Sequence, residues 1–111
     1  MAPPFRVTFE HAGERTVMAV DGELDMATVD EFTASLREGL AAGPVLLDLR
    51  ALAFMDSSGV RALDAVLRDA EGEGWKLTIL SEMRANVRQL LTLTGLIAIL
   101  PFEDPPAEEN P

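Results

Sequence analysis

The chain of 111 residues contains no cysteine, one histidine (His11) and one lysine (Lys76). Without cysteine there can be no disulfide, thiolate metal site or cysteine nucleophile. A single imidazole removes most metal sites and hydrolytic triads, so no metal and no cofactor is expected. The lysine lies in a strand-like stretch, and G-x-x-x-x-G-K is absent, which excludes a phosphate-binding loop of that kind. No apolar run approaches the ~20 residues of a membrane span, and MAPPF lacks the basic, apolar pattern of a secretory leader. A cytoplasmic protein without membrane insertion is the expectation.

Basic residues are also scarce, nine against nineteen acidic ones, for a formal charge of −10. Such a surface repels phosphate backbones, so no direct nucleic-acid binding is expected, whereas a basic partner surface would be attracted. The length suits one domain with its own core.

Phe5, Val7 and Phe9 alternate with Arg6, Thr8 and Glu10, the pattern of a half-buried strand. A turn over His11 to Glu14 leads to a second strand over Arg15 to Val20. Thr28 and Glu31 match a capping box, and Val29, Phe32, Leu36 and Leu40 follow at helical spacing until Gly43-Pro44 stops the helix. Val45 to Gly59, VLLDLRALAFMDSSG, reads as a buried central strand running into a second helix, on which Val60, Leu63, Leu67 and Ala70 face inward and Asp64 pairs with Arg68. Trp75 to Leu80 predicts a strand, Met83 to Leu91 a third helix closed by Gly95, and Leu96 to Leu100 a last strand. The order β-β-α-β-α-β-α-β implies an α/β fold, a mixed, mostly parallel sheet packed with helices, over residues 1–102. Glu103 to Pro111 holds four acids and three prolines and is expected to be a disordered tail, dispensable for folding.

The chemistry collects at Asp56-Ser57-Ser58-Gly59, where the central strand meets the helix. In open α/β sheets that edge is where ligands bind. Ordinary capping would explain one of these residues. Two hydroxyls are redundant for it, and Gly59 in the first helical turn is unfavourable by ~1 kcal/mol relative to Ala. That glycine suits a backbone which something approaches closely. A hydrolase nucleophile is discounted, because Met55 stands where G-x-S-x-G needs glycine and no base is at hand. What remains is a serine that is acted upon.

Phe54-Met55-Asp56-Ser57-Ser58-Gly59, preceded by Leu47-Asp48-Leu49, resembles the STAS domain of bacterial anti-sigma factor antagonists. Gly22-Glu23-Leu24-Asp25 and Thr94-Gly95-Leu96 resemble the family's other two motifs, and the likeness covers roughly residues 5 to 102. The resemblance implies a protein that, unphosphorylated, binds an anti-sigma factor serine kinase and frees a sigma factor. It implies Ser57 as phosphoacceptor, a serine phosphatase that restores it, and partner contacts at Asp25, Asp56, Ser58 and Gly59. Arg61, four residues beyond Ser57, shares its helix face. Two readings of it stay open, a surface charge or a clamp on the phosphate. Many relatives end in a further helix, for which Glu103 to Pro111 is too short and proline-rich. The alternative function is a STAS subunit that is never phosphorylated, a fixed part of a transport or stress-sensing complex.

Overall fold

The computed structural model describes residues 4–105. In chain order these form β1 (Arg6–Ala12), β2 (Arg15–Leu24), α1 (Val29–Ala42), β3 (Val45–Asp48), β4 (Leu52–Met55), α2 (Ser57–Glu73), β5 (Leu77–Leu80), α3 (Ala85–Leu93), a 3-10 turn (Leu96–Ala98) and β6 (Phe102–Glu103). β1 pairs antiparallel with β2. The sheet then continues through β3, β5 and β6, each parallel to its neighbour, while β4 runs parallel to the last residues of β2. The expected α/β architecture is present, a mixed sheet of mostly parallel strands with three helices.

Burial along β2 alternates, with Met18, Val20, Gly22 and Leu24 buried and the residues between them half-buried. The helices supply the other half of the core. Phe32, Leu36 and Leu40 point in from α1, as their spacing predicts, and Val60, Leu63, Val66 and Ala70 from α2. Each fully buried Leu or Phe contributes ~1.5–3 kcal/mol. Arg37 on α1 reaches Asp69 on α2 at 2.6 Å, but this pair is exposed and contributes at most ~1 kcal/mol. Apolar burial therefore decides how the two helices pack.

The run from Val45 is not one strand but two. β3 stops at Asp48, whose carboxylate accepts the Arg50 backbone N–H at 3.0 Å and binds its guanidinium at 3.0 and 2.9 Å. The turn closes with the Leu52 N–H donating to the Leu49 carbonyl at 3.1 Å. The chain resumes as β4, now against Gly22 to Leu24, with a register shift between Gly22 and Glu23. Burial alone would raise the Asp48 carboxyl pKa, but the hydrogen bonds and charge of Arg50 outweigh it and hold it below the usual value.

Two more expectations fail at the sheet's edges. Leu96 to Leu100 is no strand. Gly95, in the left-handed region at φ 80°, turns the chain into the 3-10 segment, from which Leu96 and Leu100 are buried. The last strand is β6, held by the Ile79 N–H on the Pro101 carbonyl at 3.0 Å and the Ser81 N–H on that of Glu103 at 2.9 Å. Glu103 is thus part of the sheet rather than the start of a tail. Its carboxylate takes both terminal guanidinium nitrogens of Arg15 at 2.7 Å, and Asp104 accepts the Ser81 hydroxyl at 2.8 Å. The rest of the expected tail, from residue 106, lies outside the described residues. At the other edge, β1 is less buried than its alternation predicts, since it pairs on one side only, with β2; the Phe9 ring lies over Gly39 of α1, where a β-carbon would be 3.5 Å from it.

A chain ending at Pro105 should melt with the full chain, whereas one ending at Phe102 should melt measurably lower, with Glu103→Gln between them. Equal melting temperatures for all would show that the Arg15 pair and the Glu103 backbone bond are inert. Asp48 predicts a pH dependence. Its folded pKa is lowered, so its contribution is complete above the ordinary Asp range, ~3.9, and is lost as pH falls through the lowered value. The melting difference between the natural chain and Asp48→Asn should be widest near neutrality and shrink below about pH 4. A gap that grows in acid would contradict this.

Candidate functional site

The site forms where two parallel strands end side by side. Leu24 of β2 is the register partner of Met55 of β4, so Asp25 and Asp56 leave the sheet as neighbours. Strands so paired lie roughly 4.8 Å apart. The Asp56 N–H donates to the Leu24 carbonyl at 3.1 Å, one bond beyond the ladder, and ties the two exits together.

Asp56 is the N-cap of α2. Its backbone is extended, φ −109° and ψ −172°, and its carboxylate accepts the Ser58 N–H at 2.8 Å. The Asp56 carbonyl accepts from Gly59 and Val60 at 3.1 and 3.3 Å. Ser57 is the first residue of the helix and is exposed, while Ser58 is half-buried. The cap is made by Asp56, so the Ser57 hydroxyl is not required for it.

Gly59 is buried. A β-carbon there would lie 2.7 Å from Met55 Cγ and 3.0 Å from Leu24 side-chain carbons. The close approach that its sequence position predicts is real, but it comes from the chain's own sheet rather than from a partner. The glycine lets α2 sit down directly on the ends of β2 and β4, and this fixes where Ser57 stands. Gly22 plays the matching part on β2. It has φ 98°, and a β-carbon would lie 2.9 Å from Phe5 Cα and the Pro4 carbonyl oxygen.

The loop after β2 is built around Thr28 rather than capped by it. The Thr28 hydroxyl makes no cap bond; it accepts the Asp25 N–H at 3.0 Å and donates to the Glu23 carbonyl at 2.8 Å. The Asp25 carboxylate accepts the Ala27 N–H at 2.9 Å, and the Asp25 carbonyl accepts from Val29 at 2.9 Å to start α1. The capping box with Glu31 is therefore absent, and its threonine instead holds Asp25 in place beside Asp56.

Arg61 is exposed one turn beyond Ser57. It shares a shallow hollow with Asp64, Thr94 and Gly95, which brings the third motif next to α2. Asp64 and Arg68 pair as predicted, at 3.2 Å. His11 is exposed near the β1–β2 turn, where Ala12 faces Arg15 at the start of β2, the end opposite Asp25. Among the described residues, therefore, no histidine attends Ser57. Among the described residues no group of three His, Asp or Glu side chains could hold a metal ion. Two side chains escape a reading based on polar motifs. Met26, 80% exposed, follows Asp25, and Phe54, 43% exposed, lies just before the Met55-Asp56 step. Phe54 opens the motif that runs to Gly59, whereas the only signal of Met26 in the sequence is negative: it lies outside the helical apolar spacing that begins at Val29.

These contacts rank three substitutions by denaturant unfolding. Gly59→Ala should cost ~1–3 kcal/mol through overpacking against Leu24 and Met55. Asp56→Ala should cost ~1 kcal/mol through the lost cap. Ser57→Ala should stay within ~0.5 kcal/mol of the natural chain. A Ser57→Ala loss as large as that of Asp56→Ala would mean that Ser57 carries the cap.

Comparison with known proteins agrees with the three motifs. The model of the STAS domain family matches residues 6–108. An anti-sigma F factor antagonist of Paenibacillus polymyxa is 26% identical over 102 residues, 89% of this chain and 86% of that one. The fold is similar to the crystal structure of an anti-sigma factor antagonist from Mycobacterium paratuberculosis, with TM-score 0.78 and 25% identity over 89% of this chain and 85% of that one. It is also similar to the anti-sigma factor antagonist SpoIIAA in its unphosphorylated form, TM-score 0.72 and 23% identity over 91% and 89% of the two chains. The Bacillus SpoIIAA in its phosphorylated form gives TM-score 0.65 and 23% identity over 93% and 92%. With the family's domain matched from β1 to beyond β6 and its motifs gathered at the ends of β2, β4 and α3, the chain belongs to the STAS domain family.

Proposed function

We propose that this chain is a cytoplasmic anti-sigma factor antagonist switched at Ser57. Unphosphorylated, it binds an anti-sigma factor that is also a serine kinase, and a sigma factor is freed. Phosphorylated, it no longer binds, and a serine phosphatase restores it. The observation that carries this reading is the Ser57 hydroxyl, exposed at the first residue of α2 and spared from capping by Asp56. The names of its relatives support it, as does the similarity to SpoIIAA in both phosphorylation states.

The physics of the switch follows from that position. In the transfer, Ser57 Oγ bonds to the γ-phosphorus of the kinase's ATP as the bond to ADP breaks, and the kinase supplies the base that takes the hydroxyl proton. The phosphoryl group adds about −1.5 to −2 charges at neutral pH and meets the positive end of a helix dipole, so the domain stays folded. Beside Asp25 and Asp56 the same charge makes the sheet edge strongly negative. A partner surface matched to the unmodified edge then faces like charge, which costs several kcal/mol, on the order of 10²–10³-fold in affinity. Arg61, exposed one turn beyond Ser57 on the same face of α2, is the nearby cation that would clamp the phosphate or meet the partner.

Incubation with the cognate kinase and ATP, followed by phosphopeptide mapping, should place the group on Ser57, not on Ser58 or Thr28, whose hydroxyl is engaged by Glu23. Ser57→Ala should bind the kinase persistently. Ser57→Asp should stay folded and bind more weakly, by about tenfold or more, since one carboxylate carries roughly half the charge of a phosphate. Raising salt should restore part of that loss. If folded Ser57→Asp binds as tightly as Ser57→Ala, the serine is not the switch and the constitutive STAS subunit becomes the better account.

A further inference from the structure

β1 is one edge of the sheet, paired along its inner side with β2 over Arg6–Ala12. The hairpin decides which backbone groups face outward. Ala12 and Arg15 flank a two-residue turn and are register partners, the position of a hydrogen-bonded pair. Alternation then turns the N–H and C=O groups of Glu10, Thr8 and Arg6 toward β2, and those of Val7, Phe9 and His11 outward, ready to pair with another strand.

The side chains on this edge have a two-fold pattern of their own. An antiparallel copy of β1 centred on Thr8 sets Thr8 against Thr8, Val7 against Phe9 and Arg6 against Glu10, each of the last two twice. Val7 and Phe9 share the sheet face of their partners Val20 and Met18, and Phe9 is 50% exposed there. Arg6 and Glu10 are exposed on the other face, and neither forms a salt bridge among the described residues. Aromatic with β-branched, Thr with Thr, and opposite charges are the cross-strand pairs that stabilise a sheet. Only the register centred on Thr8 opposes both charges. A slip of one residue would exchange the two faces of the added strand, so the charged residues disfavour uncontrolled pairing.

We infer that β1 is a self-association edge, through which two copies of this chain join antiparallel about Thr8 into one continuous sheet. The contact is isologous, as a closed dimer requires. It leaves Ser57 accessible. β4 follows β3 after three residues and runs parallel to the same strand, so both lie on the side of β2 away from β1. A single strand pair buries less than the ~800 Å² per partner of a standard interface, so the dimer should be concentration-dependent rather than permanent.

Sedimentation equilibrium of the full chain should show the mass rising toward twice the monomer value with concentration. Over the same range the Val7, Phe9 and His11 amides should gain protection from hydrogen exchange. Glu10→Arg and Arg6→Glu should each weaken dimerisation by about tenfold or more, because each places like charges opposite one another twice. The double variant carrying both changes should recover a dimer of nearly natural strength, with thermal melts confirming that all three remain folded. A chain that stays monomeric at the highest concentration reached, or a dimer indifferent to the single reversals, or one not rescued by the double reversal, would overturn the inference.

Discussion

Everything at the candidate site depends on the parallel pairing of Leu24 with Met55 and on the contact of Gly59 with both. The pairing brings two chain exits together, and the bond from Asp56 to the Leu24 carbonyl carries the alignment one residue past the ladder. The glycine then seats the first turn of α2 where a β-carbon would collide at 2.7 Å. Leu24 is wholly buried and Met55 nearly so, and neither can yield without opening the core. Ser57 is therefore held by the interior of the sheet, although it stands on the surface. The Asp48–Arg50 turn is the remote part of the same device, since it produces the offset that lets β4 reach the end of β2.

A site built this way can change its charge without changing its shape. The carboxylate at the cap, the neighbouring Asp25 and the helix dipole are in place before any modification, and the cap bond is formed by Asp56 alone. Thr28 secures the Asp25 loop from the other side through two backbone groups. Modifying Ser57 breaks none of these bonds. Exposed Met26 and Phe54 add apolar area next in sequence to Asp25 and Met55-Asp56.

Much of this was legible in the sequence. The spacing of Phe32, Leu36 and Leu40 and of Val60, Leu63 and Ala70 identifies the inward faces of two helices, because apolar period is a local property. The motif Asp56 to Gly59 marks the cap for the same reason. What was hidden depends on particular side-chain contacts that apolar period does not encode, some between near neighbours and one across almost the whole chain. Asp48 reads as a blemish in an apolar run until its bonds to Arg50 show that it ends the strand. Glu103 reads as the start of an acidic tail because its partner, Arg15, lies at the opposite end of the sequence. Thr28 and Glu31 satisfy the capping pattern, yet the threonine is drawn to Glu23 and Asp25 by the loop that β2 imposes. Gly59 reads as a point of close approach, and the structure shows that the approaching side chains are Leu24 and Met55 of the chain's own sheet.

The central claim is that phosphorylation of Ser57 acts by charge on a rigid platform. Residue-resolved amide exchange of the unmodified and phosphorylated chains tests it most directly. Changes confined to residues 25–28 and 56–61, with the first amides of α2 equally or better protected and β2 and β4 unaltered, are the predicted result. Loss of protection across Gly22 to Leu24 and Leu52 to Met55 would contradict it, because the switch would then work by loosening the strand pair that holds the site.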